Sequence, residues 1–226
     1  MEEFGFLFIN KPKGLTSHDV IDKLRVLTKI KKIGHAGTLD PFATGLLIVG
    51  VGRRATKKLS KFLHQEKEYE ATLKLGFVST TFDPEGEISF KSKKRPTLKE
   101  IEKILTKFKG KIKQIPPIFS AKKIKGKKLY EFARRGIKIK PKPSEVEIYK
   151  IKIVDYHYPF LKLKINCSPG TYIRSLASDI GRALSTGAYL LDLKRTKIGK
   201  INLKEAIDLE KLNSENWKKF LKWKSK

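Results

Sequence analysis

EVEIYKIKIVDYHYPFLKLKINCS, residues 145–168, decides how this chain is read. Apolar and polar residues alternate along 145–158 and again along 160–168, the pattern of two long strands with one buried face each. After them, the Pro-Gly of SPGTYIRS (168–175) turns the chain into a helix over about 172–185, and a strand follows at about 188–198. Before them, EYEATLKLG (68–76) places Tyr69, Ala71, Leu73 and Leu75 on one side of a half-buried strand. FGFLFIN (4–10) and LLIVGVG (46–52) read as two more strands. Ser17 is the expected N-cap of a helix to about Lys29, with Val20, Ile21, Leu24 and Leu27 on one face. A basic helix is expected over about 54–64, and FDPEG (82–86) is turn chemistry. Thr97 and Glu100 form a capping-box pattern opening a helix with Leu98, Ile101, Ile104, Leu105 and Phe108 inward. A final basic helix is expected over about 204–225. Strands and helices intermix without regular βαβ alternation. This places the chain in the α+β class, with a mixed, largely antiparallel central sheet and flanking helices. With no repeat and no clear linker, residues 1–226 are expected to form one domain carrying a basic, Pro- and Gly-rich insertion at about 114–143.

Charge is the strongest global signal. Fifty-one Lys and Arg against 23 Asp and Glu give +28, while 39% hydrophobic residues exclude a disordered chain. Lysine enrichment accompanies thermophily, but it leaves so large an excess over acids unexplained. The implied partner is a polyanion, RNA or DNA before an anionic membrane surface. A lone cysteine, Cys167, excludes an internal disulfide framework and fits a reducing cytosol. With four scattered His it also argues against a metal cluster. There is no signal peptide and no apolar run of about 18 residues, so the expected location is cytoplasmic with no membrane contact.

The chemistry centres on GHAGTLDPFATG (34–45), where Gly and Pro crowd around Asp40. Asp-Pro in a glycine-rich loop is ordinarily a turn. A carboxylate in so basic a chain nevertheless repels RNA phosphate, so it needs a purpose, and Gly34, Gly37 and Gly45 allow a ligand close to the backbone. His35 reads either as a satisfied loop histidine or as an aromatic wedge for a displaced base. Tyr69 reads first as core, and Arg174 as a surface arginine or a partner for a buried carboxylate. In 116–136, Lys122, Lys123, Lys125, Lys127 and Lys128 interleave with Phe119 and Tyr130, which suits looped or single-stranded RNA. A nucleic-acid hydrolase lacks the clustered carboxylates that metal ions need. A non-catalytic RNA-binding protein is the other reading that the residues allow.

Six segments together resemble the TruB-type tRNA pseudouridine synthases. They are FINKPKGLTSHDV, GHAGTLDPFATGLLIVGVGRRATK, KEYEATLKLG, PPIFSAKKIKGKKLYEFARRG, CSPGTYIRSLASDIG and LKRTKIG, in that order over about 6–199. The resemblance implies the pseudouridine synthase fold and isomerisation of a uridine in the tRNA T-loop, at position 55. It implies Asp40 as catalytic aspartate, Tyr69 as the tyrosine against the target base, and Arg174 as the arginine paired with the catalytic carboxylate. His35 would remodel the T-loop, Tyr172 would be a neighbour in the site, and Lys11, Lys57, Lys122, Lys123 and Arg134 would meet RNA. No metal, no organic cofactor and no obligatory protein partner are implied, and a monomer is expected. Two departures stand out. Phe119 replaces a common tyrosine, and GRRATK (52–57) is one residue longer than usual. No PUA domain is expected within 1–226, so the tail KLNSENWKKFLKWKSK is a candidate for compensating RNA contacts.

Overall fold

The computed structural model describes residues 3–120, 122–124, 127–135, 137, 139 and 141–223, with side chains at 123, 124, 127, 128, 130, 133 and 134 left out. Strand β1 (Gly5–Lys11) leads into helix α1 (Ser17–Thr28). The N-cap is Thr16 rather than Ser17: Thr16 and Asp19 close a capping box, and Ser17 is thereby released for another task. β2 (Ile33–Ala36) and β3 (Thr44–Val51) follow, so His35 stands on a strand and not in a loop. The single basic helix expected over 54–64 is instead two short pieces, α2 (Arg53–Thr56) and α3 (Ser60–Leu63). β4 (Lys67–Leu75) alternates strictly, with Tyr69, Ala71, Leu73 and Leu75 buried.

A small hairpin, β5 (Phe77–Ser79) and β6 (Ile88–Phe90), precedes α4 (Leu98–Thr106). The Thr97–Glu100 capping box forms as read, and hydrogen bonds from Thr97 hold the Glu100 carboxyl below its ordinary value. β7 (Gly110–Gln114), the short β8 (Lys123–Ile124) and β9 (Lys127–Lys128), and α5 (Leu129–Arg134) come next. The two long strands are β10 (Ser144–His157) and β11 (Phe160–Cys167), then α6 (Ile173–Ala183) and β12 (Ala188–Ile198). β13 (Ile201–Asn202) and β14 (Ile207–Asp208) close the regular structure.

The chain forms two compact units, residues 1–69 with 194–226, and residues 70–193. In the first, the strand order is β14-β1-β3-β12. β1 and β2 run antiparallel to β3, while β14 and β12 run parallel to β1 and β3 respectively. Both faces are covered. Leu7, Ile9, Leu47 and Val49 pack with Val20, Ile21 and Leu24 of α1, whereas Phe6, Phe8, Leu46 and Ile48 pack with Leu59 and Phe62. In the second, β4-β11-β10-β7 are neighbours, with β10 antiparallel to both β11 and β7. Its buried residues include Ile148, Leu163, Ile165, Ile101, Leu176 and Ile180. The mixed, largely antiparallel α+β sheet is as read.

The tail is not the expected basic helix. It runs as 3₁₀ turns at Leu203–Glu205, Leu209–Lys211 and Trp217–Phe220, and buries Leu209, Leu212, Trp217 and Leu221 in the same cluster as Leu7 and α1. Asn213 Oδ1 accepts from the backbone N–H of Glu215 and Asn216, and Asn216 Oδ1 accepts from that of Asn213. Such side-chain bonds outcompete a helix at those positions.

Candidate active site

In the first unit, the turn between β2 and β3 is built around Asp40. Each carbonyl from Gly37 to Pro41 is taken in order. Arg195 donates from Nη2 to Gly37 O (3.0 Å) and from Nη1 to Thr38 O (3.4 Å). Ser17 Oγ accepts from Leu39 N–H (2.8 Å) and donates to Leu39 O (3.2 Å). Ala43 N–H donates to Asp40 O (3.1 Å), and Gly14 N–H to Pro41 O (2.9 Å). The backbone of the loop is thereby fixed from three directions, and the half-buried Asp40 side chain is carried on a rigid support. Ser17 can serve as this brace because Thr16 caps the helix.

Arg195 is 1% exposed and spends its third donor, Nε, on Leu46 O at 2.8 Å. A buried guanidinium is tolerated only where its donors are satisfied, and here the loop carbonyls satisfy them. Its backbone sets the glycine requirement. Gly45 has φ +102°, and a Cβ there would lie 2.4 Å from Arg195 O. The glycine at 45 therefore admits a neighbouring strand, not a ligand as the sequence suggested. Arg195 itself lies in the quoted LKRTKIG, and no motif logic singled it out.

Lys11 is a correction. Read as an RNA contact, it is fully buried, and its ammonium donates to Pro12 O (2.8 Å), Leu15 O (2.5 Å) and Pro41 O (3.3 Å). Those carbonyls hold the ammonium against the backbone of the Asp40 turn. Tyr69 is 8% exposed on β4, and His35, half-buried, sits opposite Val49 on β2. Lys57 is exposed.

The second unit contains a second Asp-Pro turn. Asp83 is 1% exposed, and its Oδ2 accepts from Arg174 Nη1 at 2.8 Å, with Arg174 also nearly buried. Thr81 Oγ1 and the Glu85 N–H donate to Asp83 Oδ1. Arg174 Nη2 donates to Phe119 O at 2.6 Å, so one guanidinium ties the start of α6 to FDPEG and to the head of the basic insertion. Gln114 clamps the neighbouring Tyr172 backbone, accepting its N–H (2.8 Å) and donating to its carbonyl (3.0 Å). Ser175 Oγ adds a bond to Ile115 O at 2.7 Å. Sequence reading missed Asp83 and Gln114: the first looked like a turn, and the second stood at the head of the expected basic insertion, where the structure has the end of β7. Lys122 is half-buried, Phe119 is 44% exposed, and the side chains of Lys123, Tyr130 and Arg134 lie outside the described residues. Among the described residues no group of His, Cys, Asp and Glu could hold a metal ion.

Residues 25–173 match the family model of the TruB family pseudouridylate synthase N-terminal domain, and residues 174–223 that of the tRNA pseudouridylate synthase B C-terminal domain. The chain belongs to the TruB family. It is 48% identical over 204 residues to tRNA pseudouridine synthase B of Chlamydia abortus, covering 90% of this chain and 86% of that one. To the Clostridium tetani protein of the same name it is 42% identical over 218 residues, covering 96% and 75%. Among solved structures, a chain of a Cbf5–Nop10–Gar1 complex superposes with TM-score 0.73 at 28% identity, over 91% of this chain and 52% of that chain. This TruB-family chain thus spans about half the length of that neighbour. Most of the tail that the sequence offered for compensating RNA contacts falls within the second family match, and Leu212, Trp217 and Leu221 lie in the core.

Proposed function

We propose that this chain is a tRNA pseudouridine synthase that isomerises a uridine of the T-loop, position 55, with Asp40 as its essential carboxylate. The observation that carries the reading is the Asp40 turn, every carbonyl of which is held by neighbours while its side chain stays half-buried. The named relatives, aligned over 90% and more of the chain, support the substrate class.

The reaction exchanges an N1–C1′ bond for C5–C1′, so the glycosidic bond breaks, the uracil turns and rejoins, and the C5 proton leaves to solvent. Those atoms are out of reach in a stacked loop, and the nucleotide must be extruded first. A rigidly held, ionised carboxylate then acts at the ribose, either on C1′ as nucleophile or as a base; both roles need Asp40 charged. Tyr69 offers a flat, largely buried face for the detached base. The family resemblance implies Arg174 as the arginine of the catalytic carboxylate, and within its own unit Asp83 fixes the Arg174 guanidinium. His35 and Tyr172 complete the contacts to the loop, and Lys57, Lys122, Lys123 and Arg134 neutralise phosphate. The protein acts as a monomer in the cytoplasm, without cofactor or obligatory protein partner.

The test is a T-arm hairpin carrying tritium at uridine C5, incubated with the protein and then digested and separated by chromatography. Tritium release matched by pseudouridine at one T-loop position is the expected result. Binding without release from the hairpin or from whole tRNA would leave an RNA-binding protein and no enzyme.

A further inference from the structure

A pocket of about 310 Å³ opens in the first unit, lined chiefly by Phe4, Phe6, Lys58, Lys61, Phe62 and Trp223. It contains none of the residues assigned above to the reaction. Its walls are aromatic: the Trp223 ring stacks on Phe62, centroids 5.5 Å apart and planes 5° from parallel, while Phe6 meets Phe62 edge-on at 5.0 Å and Trp223 at 5.5 Å. Trp223 is 62% exposed, a large apolar surface to leave in water. Its backbone is also unusual, with φ +51°, a left-handed conformation that a bulky side chain rarely adopts. The segment is held there by two backbone bonds to β1, from Phe6 N–H to Lys222 O (2.9 Å) and from Lys222 N–H to Phe6 O (2.8 Å). Strain maintained by its surroundings is characteristic of sites with a task.

The rim is cationic. Lys58 and Lys61 line the pocket, and the Arg54 guanidinium lies over the Phe4 ring at 4.3 Å. Among the described residues none of these three cations is ion-paired. The nearby acid Glu3 is engaged by Lys218 at 3.2 Å. Aromatic walls beside uncompensated lysines are complementary to a flat aromatic group that carries an anion. An apolar peptide or acyl chain would fill the walls and leave the cations without partners. The volume lies at the lower end of the range for ligand pockets, roughly 300–1,000 Å³, which suits one nucleotide.

We propose that this pocket is a second RNA site, which takes one unpaired nucleotide with its base against Trp223 and Phe62 and its phosphate between Lys58 and Lys61. The proposal rests on RNA being the partner, as above, and adds a contact separate from the uridine that reacts.

The test uses the full chain and two probes, adenosine 5′-monophosphate and an unstructured decanucleotide RNA. Binding is followed by quenching of tryptophan emission in wild type and in the lysine variant, and by fluorescence anisotropy of the 5′-labelled decanucleotide in every variant, Trp223→Ala included. Trp217 is buried and Trp223 exposed, so a stacked base reports on Trp223. Trp223→Ala should weaken decanucleotide binding about tenfold. Lys58→Gln with Lys61→Gln should lower the slope of log affinity against log salt by about 1.4. Both variants should release tritium from a T-arm hairpin at the wild-type rate. Should Trp223→Ala melt early, the lysine pair decides alone. Unchanged RNA affinity and salt slope would overturn the proposal, as would quenching by an uncharged apolar probe with none by the nucleotide. Tritium release with no effect of either variant on oligonucleotide binding refutes this site only. Trp223-dependent binding without tritium release refutes the enzymatic reading only.

Discussion

The molecule contains two Asp-Pro turns, Leu39–Phe42 around Asp40 and Phe82–Gly86 around Asp83, and they are put to opposite uses. At Asp83 the carboxylate does the holding: it is buried and takes Thr81 Oγ1, the Glu85 N–H and the Arg174 guanidinium. At Asp40 the backbone is what is held, by Arg195, Ser17 and Gly14, while the side chain remains half-buried. One dipeptide gives an architectural anion in one place and, in the proposed function, the reacting carboxylate in the other. The difference lies in what surrounds the turn, not in its sequence.

Substitutions sharpen that contrast. Asp83→Ala breaks the buried Asp83–Arg174 pair and removes the acceptor of Thr81 Oγ1 and the Glu85 N–H, so thermal and urea denaturation should show a loss of about 3–5 kcal/mol. A chain with both Asp83→Ala and Arg174→Met should recover part of it, because both members of the buried pair are then replaced. Arg195→Lys keeps the charge but cannot reach Gly37 O, Thr38 O and Leu46 O together; a loss of about 2–3 kcal/mol is expected, with a lower turnover on T-arm RNA. Ser17→Ala removes both bonds to Leu39 at a cost of about 1–2 kcal/mol, and slows single-turnover isomerisation more than it weakens RNA binding. If Ser17→Ala lowers the melting temperature and leaves the rate untouched, the brace is structural only, and the two turns differ less than described.

Much of this was legible in the chain. The alternation in 145–168 and 68–76 gave β10, β11 and β4 almost to the residue, because one buried face imposes a period of two. Thr97–Glu100 gave its helix start, since a capping box is entirely local. The same rule, applied to Thr16 and Asp19, would have freed Ser17 from the capping role. What stayed hidden depends on distance in sequence. Asp83 and Arg174 are partners across 91 positions, and Arg195 reaches Gly37 across 158. Lys11 was expected to meet RNA, because nothing local says that three carbonyls converge on it. The tail misled through composition. Trp217, Phe220 and Leu221 have helical spacing, but Asn213 and Asn216 bond their own backbone and break it into short turns.

The most direct measurement compares Asp40→Asn and Asp83→Asn in one experiment, with tritium release from saturating T-arm RNA and thermal melting read on both. Asp40→Asn should bind RNA and melt as wild type does, with release lowered on the order of a thousandfold or more. Asp83→Asn should melt well below wild type. Substantial release by Asp40→Asn, with a melting temperature lowered like that of Asp83→Asn, would mean that both aspartates serve the architecture and that the reaction, if any, belongs to another group.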